Sequence, residues 1–131
     1  LVGLFVSVAA HAADKPNYKD ITIAAGASES SVFDISTVAP GAGSLLGLFM
    51  PAAWTTANLT VIVSPTCAAP WYNAYGDTGD EYTIAAGTSR YVNLDPAYFV
   101  GIRCAKFRSG TAAFPVVQAS ARTIKVGFGR F

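Results

Sequence analysis

Few residues of this 131-residue chain have types and spacings that could do chemistry. The single histidine, His11, lies in an apolar stretch near the start of the chain, so no serine or cysteine triad can be built around it. The two cysteines, Cys67 and Cys104, stand far apart with no C-x-x-C, whereas zinc sites gather several Cys or His ligands at short spacing. Glu29, Glu81 and six aspartates could supply a pair of carboxylates for glycoside hydrolysis, but nothing in their spacing selects two of them. The run Gly76-Asp77-Thr78-Gly79-Asp80-Glu81 offers oxygen ligands, yet it lacks the alternating acidic positions of a calcium loop and reads as an acidic turn. These residues lead us to expect no enzyme, no metal and no cofactor.

Two features remain that could bind. Trp54, Trp71, Tyr72 and Tyr75 are candidate stacking platforms for sugar rings. In a strand, Trp71, Asn73 and Tyr75 share one face and Tyr72 and Ala74 the other, so part of that cluster must point into a core. Packing in the core or at subunit joints is therefore the expectation for Trp54, Trp71 and Phe99. Cys67 and Cys104 are the only possible intrachain pair; a bridge needs Cα atoms roughly 4.4–6.8 Å apart, and two free, buried thiols are the alternative.

The elements that must position these residues are short β-type runs. Candidate strands cover 21–24, 31–36, 44–50, 58–64, 71–75, 81–85, 90–94, 99–108, 115–119 and 122–128. The breaks carry turn chemistry: Pro40-Gly41, Gly76-Asp77, Ala86-Gly87, Asp95-Pro96 and Ser109-Gly110. No stretch holds an apolar period of 3.6 residues over three turns. Many strands at roughly ten-residue spacing predict an all-β fold, an antiparallel β-sandwich of jelly-roll-like form. The heptad Thr22-Ile-Ala-Ala-Gly-Ala-Ser28 recurs as Thr83-Ile-Ala-Ala-Gly-Thr-Ser89, and is read as hairpin chemistry used twice, with Gly26 and Gly87 supplying positive φ.

Residues 1–18 are expected to form an apolar N-terminal arm and 19–131 a single sandwich domain. The opening Leu1 to Ala13 also resembles the end of a signal peptide, which stays open. Its dozen apolar residues are too few for a membrane-spanning helix, and no membrane partner is expected.

Composition points to assembly. Charged residues make up only 13% and hydrophobic residues 52%, well short of the roughly one-quarter charge of ordinary soluble domains. A surface so poor in charge is commonly hidden against other subunits. Charge is also uneven along the chain. From residue 90 onward seven cations (Arg90, Arg103, Lys106, Arg108, Arg122, Lys125, Arg130) face one acid, Asp95; before it, Lys15 and Lys19 face seven acids. No Lys/Arg run exists and net charge is +1, so nucleic acid is not expected; contacts between subunits or with an acidic shell are.

The segments 48–55 (LFMPAAWT), 59–65 (LTVIVSP) and 71–75 (WYNAY) with Asp77 and Gly79, then 90–96 (RYVNLDP), 108–111 (RSGT) and 121–124 (ARTI), resemble small structural proteins of tailed bacteriophages and related prophages. The likeness spans roughly 21–126. It implies a non-enzymatic virion protein on the capsid surface, of the decoration (cement) or head-fibre type, whose partners are the major capsid protein or another virion protein and further copies of itself, a trimer being favoured. The interface residues expected are Leu1, Leu4, Phe5, Val6 and Val8 of the arm, with Arg103, Lys106, Arg108, Arg130 and Phe131. The sequence departs from the family pattern at Cys67-Ala68-Ala69-Pro70, at Cys104 and in the arm. Paired novelty at the two cysteines tips the expectation toward a disulfide, although phage proteins are made in a reducing cytosol. A looser, architectural likeness to discoidin-type jelly rolls raises the alternative of a carbohydrate-binding module used in adsorption or secreted, with Trp54, Trp71, Tyr72 and Tyr75 as its platforms.

Overall fold

The computed structural model describes residues 15–38 and 43–130. The arm residues Leu1, Leu4, Phe5, Val6, Val8 and His11, the Pro40-Gly41 break and Phe131 lie outside the described residues.

Among the described residues nine strands build two antiparallel sheets: β1 (Asn17–Ile23), β2 (Phe33–Asp34), β3 (Ser44–Phe49), β4 (Leu59–Ser64), β5 (Tyr72–Asn73), β6 (Thr83–Ile84), β7 (Tyr91–Asn93), β8 (Cys104–Ser109) and β9 (Arg122–Gly129). A one-turn helix, α1 (Ile35–Val38), follows β2, and a 3-10 turn over Pro96–Phe99 is capped by the Asp95 carboxylate on the Ala97 amide. One sheet has the order β1-β9-β3-β7; the other runs β2-β8-β4-β5, with β6 also on β4. The first half of the chain pairs with the second in nested fashion: β4 with β5, β3 with β7, β2 with β8, β1 with β9. That is one long hairpin rolled upon itself, with β3·β9 and β4·β8 as the side-by-side pairings that close the roll. The all-β sandwich read from the sequence is the fold, in jelly-roll order.

Alternation sets the two faces of each strand. Ile21 and Ile23, Leu45 and Leu48, Ile124, Val126 and Phe128 point inward from one sheet; Leu59 and Val61, Ala105 and Phe107 do so from the other. Phe33 joins the layers, its ring lying 5.1 Å from Phe107 and 6.0 Å from Phe128. Trp54 and Phe99 close the core, as expected.

Several boundaries differ from the sequence reading. β1 begins at Asn17, inside the expected arm, because Asn17 and Tyr18 find ladder partners in Phe128 and Gly127. The expected strand 99–108 is divided: Pro96 to Phe99 turn, and β8 starts at Cys104. The expected strand 115–119 makes only an isolated bridge, Gly110 to Pro115. Pro115 has no N–H to donate, while the Val116 and Gln118 amides bond to two different partners, Ser109 O and Ala27 O. In the repeated heptad Gly26 has φ +78°, but Gly87 does not take positive φ; Ser89, at φ 50°, does so in the second copy. The Arg90 guanidinium packs over Gly87, within 2.6 Å of where a Cβ would stand, but it is the end of an exposed flexible side chain and could move aside.

Candidate functional site

The outer face of the five-stranded sheet collects most of the polar chemistry. On β8, Ala105 and Phe107 face the core, so Cys104, Lys106 and Arg108 face out, beside Thr60, Ile62 and Ser64 of β4. Arg108 is only 5% exposed. Its Nη2 donates to Glu81 Oε2 at 2.5 Å, Nη1 to Asn73 Oδ1 at 2.9 Å and Nε to Thr60 Oγ1 at 3.1 Å. The carboxylate of Glu81 also accepts from the Ala112 amide at 3.2 Å. Lys106 lies between Glu29, 2.8 Å away, and the ring of Trp71, 4.8 Å from its centroid. Such a buried charge is tolerable because its donors are matched. Arg108 therefore holds the 71–82 excursion onto the sheet and is not an interface residue, which corrects the expectation; its partners leave it no surface to offer. Lys106 is half-buried in the same way, whereas Arg103 and Arg130 remain exposed.

Charge asymmetry along the chain has its explanation here. The four ion pairs among the described residues are Asp20–Lys125, Glu29–Lys106, Asp34–Arg103 and Glu81–Arg108. Three of them, Asp20–Lys125, Glu29–Lys106 and Asp34–Arg103, join an acid of the first half to a cation of the second, because the nested pairing lays those halves side by side, while Glu81, between β5 and β6, reaches Arg108 within the second half. Complementarity expected between subunits is thus spent largely within the fold.

Cys67 and Cys104 form a disulfide, with Cα atoms 5.1 Å apart. It ties the 65–70 loop to β8. Asp34 Oδ2 lies 3.7 Å from Cys67 Sγ, so a carboxylate and two sulfurs meet in one place. The sulfurs are bonded to each other and are not thiolate ligands. Hydrogen bonds from the Ser36 hydroxyl, opposed by some burial, and then the Ser36 amide and the Arg103 charge hold the Asp34 carboxyl below its ordinary range. Tyr82 and Tyr98 stack at 3.6 Å. Burial pushes both phenols above the usual tyrosine range, aided at Tyr82 by the neighbouring Tyr98 and Asp95.

The sugar-platform residues are not brought together. Trp54 is 7% exposed and its indole N–H donates to Ala57 O at 3.1 Å, which removes it from any surface site. Trp71 is half-buried beneath Lys106 and outside the core, which leaves the subunit-joint half of its expectation. Tyr72 and Tyr75 are exposed, Tyr72 on β5 opposite Val63 and Tyr75 beyond the strand in an isolated bridge to Glu81.

The exposed aromatics that do gather were not singled out from the sequence. They lie on the outer face of the four-stranded sheet. Register places Tyr18, Gly127 and Gly47 in one row across β1, β9 and β3, and Asp20, Lys125, Phe49 and Tyr91 in the next. Two glycines leave the first row without side chains at its centre, and the rings lean into the space. Tyr91 covers Gly47 so closely that a Cβ there would overlap its ring. Phe49 lies 4.8 Å from Tyr91 and 6.0 Å from Tyr18. The result is an open groove of about 360 Å³ with Pro16, Tyr18, Leu46, Phe49 and Tyr91 as walls and Gly127 in the floor. A smaller hollow shares Pro16 and Leu46 with it and continues to Lys15 and Arg130. The groove is apolar along its body and cationic at one end. The signal was available only as two glycines in strand patterns, which mark a close approach, and their partnership across β3 and β9 is set by the fold. The chain matches no protein-family model, no curated protein and no solved structure, so its functional reading rests on its own residues.

Proposed function

We propose that this chain is a non-enzymatic virion structural protein, a capsid decoration (cement) component that sits as a homo-oligomer on the head and contacts the major capsid protein. The observation that carries the assembly role is the aromatic groove. Tyr18, Phe49 and Tyr91 expose apolar surface in the middle of a sheet face, where a solitary protein would present polar side chains. The jelly-roll order and the resemblance in segments 48–55, 59–65, 71–75 and 108–111 support the virion assignment. The carboxylates Asp20, Glu29, Asp34 and Glu81 are engaged in ion pairs, which suits structural use better than acid–base work. The action would be mechanical, apolar burial across joints adding many small contact terms.

The test is to look for the chain on particles. Mass spectrometry of purified virions should find its peptides in amounts comparable with the capsid protein, and cryo-EM should place it on the outer shell. Absence from particles, together with binding on a glycan array that is lost in Tyr72→Ala or Tyr75→Ala, would replace this reading with the carbohydrate-binding one.

A further inference from the structure

We infer that copies of this chain associate head to tail, Phe114 of one copy seated in the Tyr18–Phe49–Tyr91 groove of the next. The inference rests on the assembly reading above and names the surfaces that would carry it.

The donor surface is the turn after β8. Phe114 is 79% exposed, the most exposed large apolar side chain among the described residues, and Ala112, Ala113, Pro115 and Val117 around it are exposed as well. This apolar tip is held firmly. The Thr111 amide donates to Phe114 O at 3.1 Å, and the Phe114 amide donates to Thr111 Oγ1 at 3.0 Å. The base of the turn is closed by Val116 N to Ser109 O at 2.8 Å, and its side by the Ala112 amide on Glu81. A rigid, exposed aromatic loses little conformational freedom when it is buried by a partner.

The acceptor surface is the groove. Its aromatic and aliphatic walls match a phenyl ring, and its volume of about 360 Å³ has room for the ring with Pro115 behind it. The two cannot meet within one copy. The tip leaves the five-stranded sheet at the end of the sandwich where β9 begins, with Gln118 bonded to Ala27. The groove lies on the far side of the other sheet, five residues along β9 from Arg122 to Gly127, or roughly 17 Å at strand spacing.

Charge favours a second copy as the occupant. Among the described residues the acids outside the four intramolecular ion pairs are Asp95, whose carboxylate caps the 96–99 turn, and Asp77 and Asp80, on the turn that Glu81 links to the apolar tip. The cations outside those pairs include Lys15 and Arg130, which line the end of the groove. Tip with acids therefore meets groove with cations. Tip and groove are different surfaces, so the contact is heterologous and closes into a ring or extends as a filament according to the rotation it imposes.

Sedimentation velocity on the full chain tests this with two variants. Phe114→Ser removes the tip. Gly127→Val fills the groove floor, where the Cβ itself meets the Tyr18 ring only in ordinary contact at 3.5 Å. Near-ultraviolet circular dichroism and thermal melts establish that both remain folded; Tyr18→Ser replaces Gly127→Val if that one does not. The expected result is a concentration-dependent oligomer for the parent chain, monomers for each variant alone, and a one-to-one dimer when the two are mixed, because each retains the half the other lacks. An oligomer unaffected by Phe114→Ser overturns the proposal, as does a parent chain that stays monomeric. Two monomeric variants that fail to complement each other point to a symmetric interface and overturn it equally. Each of these failures leaves detection on virions standing, so the two readings fail separately.

Discussion

Arg108 and Glu81 form an ion pair at 2.5 Å with side chains 7% and 15% exposed, and this contact joins the end of β8 to the segment that returns between β5 and β6. A guanidinium so placed is stable only while every donor is matched. Removing one partner leaves the other without its counter-charge. Arg108→Met is expected to cost about 3–5 kcal/mol in urea denaturation. Glu81→Gln should cost less, since a carboxamide oxygen still accepts from Arg108. A double-mutant cycle with a coupling near zero would show that the pair is not the link described.

The disulfide between Cys67 and Cys104 closes a loop with a sequence separation of 37, for which the chain-entropy relation gives about 3–4 kcal/mol of stabilisation. Cys67→Ser with Cys104→Ser is expected to lower stability by up to that amount while the far-ultraviolet spectrum keeps its β form. Intact-mass measurement after alkylation without reduction checks the bond itself. Modification of both thiols would show that the protein as isolated holds them free.

Asp34 gives the fold an acid-sensitive contact. Ser36 and Arg103 hold its carboxyl below the ordinary carboxylate range, so the charged form is favoured by the fold. The stabilisation is complete above the unfolded value and is lost as pH falls through the lower folded value. Urea midpoints of the parent chain and Asp34→Asn should therefore differ by a constant amount from pH 7 to 5, and the gap should shrink below about pH 4. A gap that persists unchanged at pH 2.5 would assign the effect to packing and not to ionisation.

What could be read from the sequence was the local pattern, and what could not was the pairing. Alternation in 59–64 and 122–128 marks β4 and β9 almost to the residue. The same reasoning fails at 115–119, where an apolar run looks like a strand but its amides are claimed by Ser109 and Ala27 in turn. Gln118 in that run is wholly buried, its carboxamide exchanging hydrogen bonds with the Thr55 backbone, a partner 63 positions away. Charge asymmetry was visible at once, yet its meaning depends on the nested pairing that brings Asp20 to Lys125 and Glu29 to Lys106. Gly47 and Gly127 look unremarkable in isolation, and only the register of β3 on β9 makes them the floor of a groove. Tryptophans drew notice by type, whereas the exposed aromatics that gather are Tyr18, Phe49 and Tyr91.

Gly110 separates conformational strain from steric collision. Gly26 and Gly110 both have positive φ, +78° and +89°, but nothing lies near a Cβ at Gly26. At Gly110 a Cβ would strike the Phe114 carbonyl and approach Val116 N at 2.6 Å, both backbone atoms that cannot swing aside. Gly26→Ala should cost about 1–2 kcal/mol, the usual penalty of a left-handed alanine. Gly110→Ala should cost more, about 3 kcal/mol or above, as the collision adds to that penalty. The turn over 111–114 must also shift to relieve the contact, which would re-aim Phe114. Gly110→Ala that remains folded is then expected to weaken self-association in sedimentation, while Gly26→Ala, with its smaller stability loss, leaves it intact. Equal destabilisation by the two substitutions would mean that the 110–115 turn yields freely, and a turn that yields freely could not present Phe114 as a rigid tip.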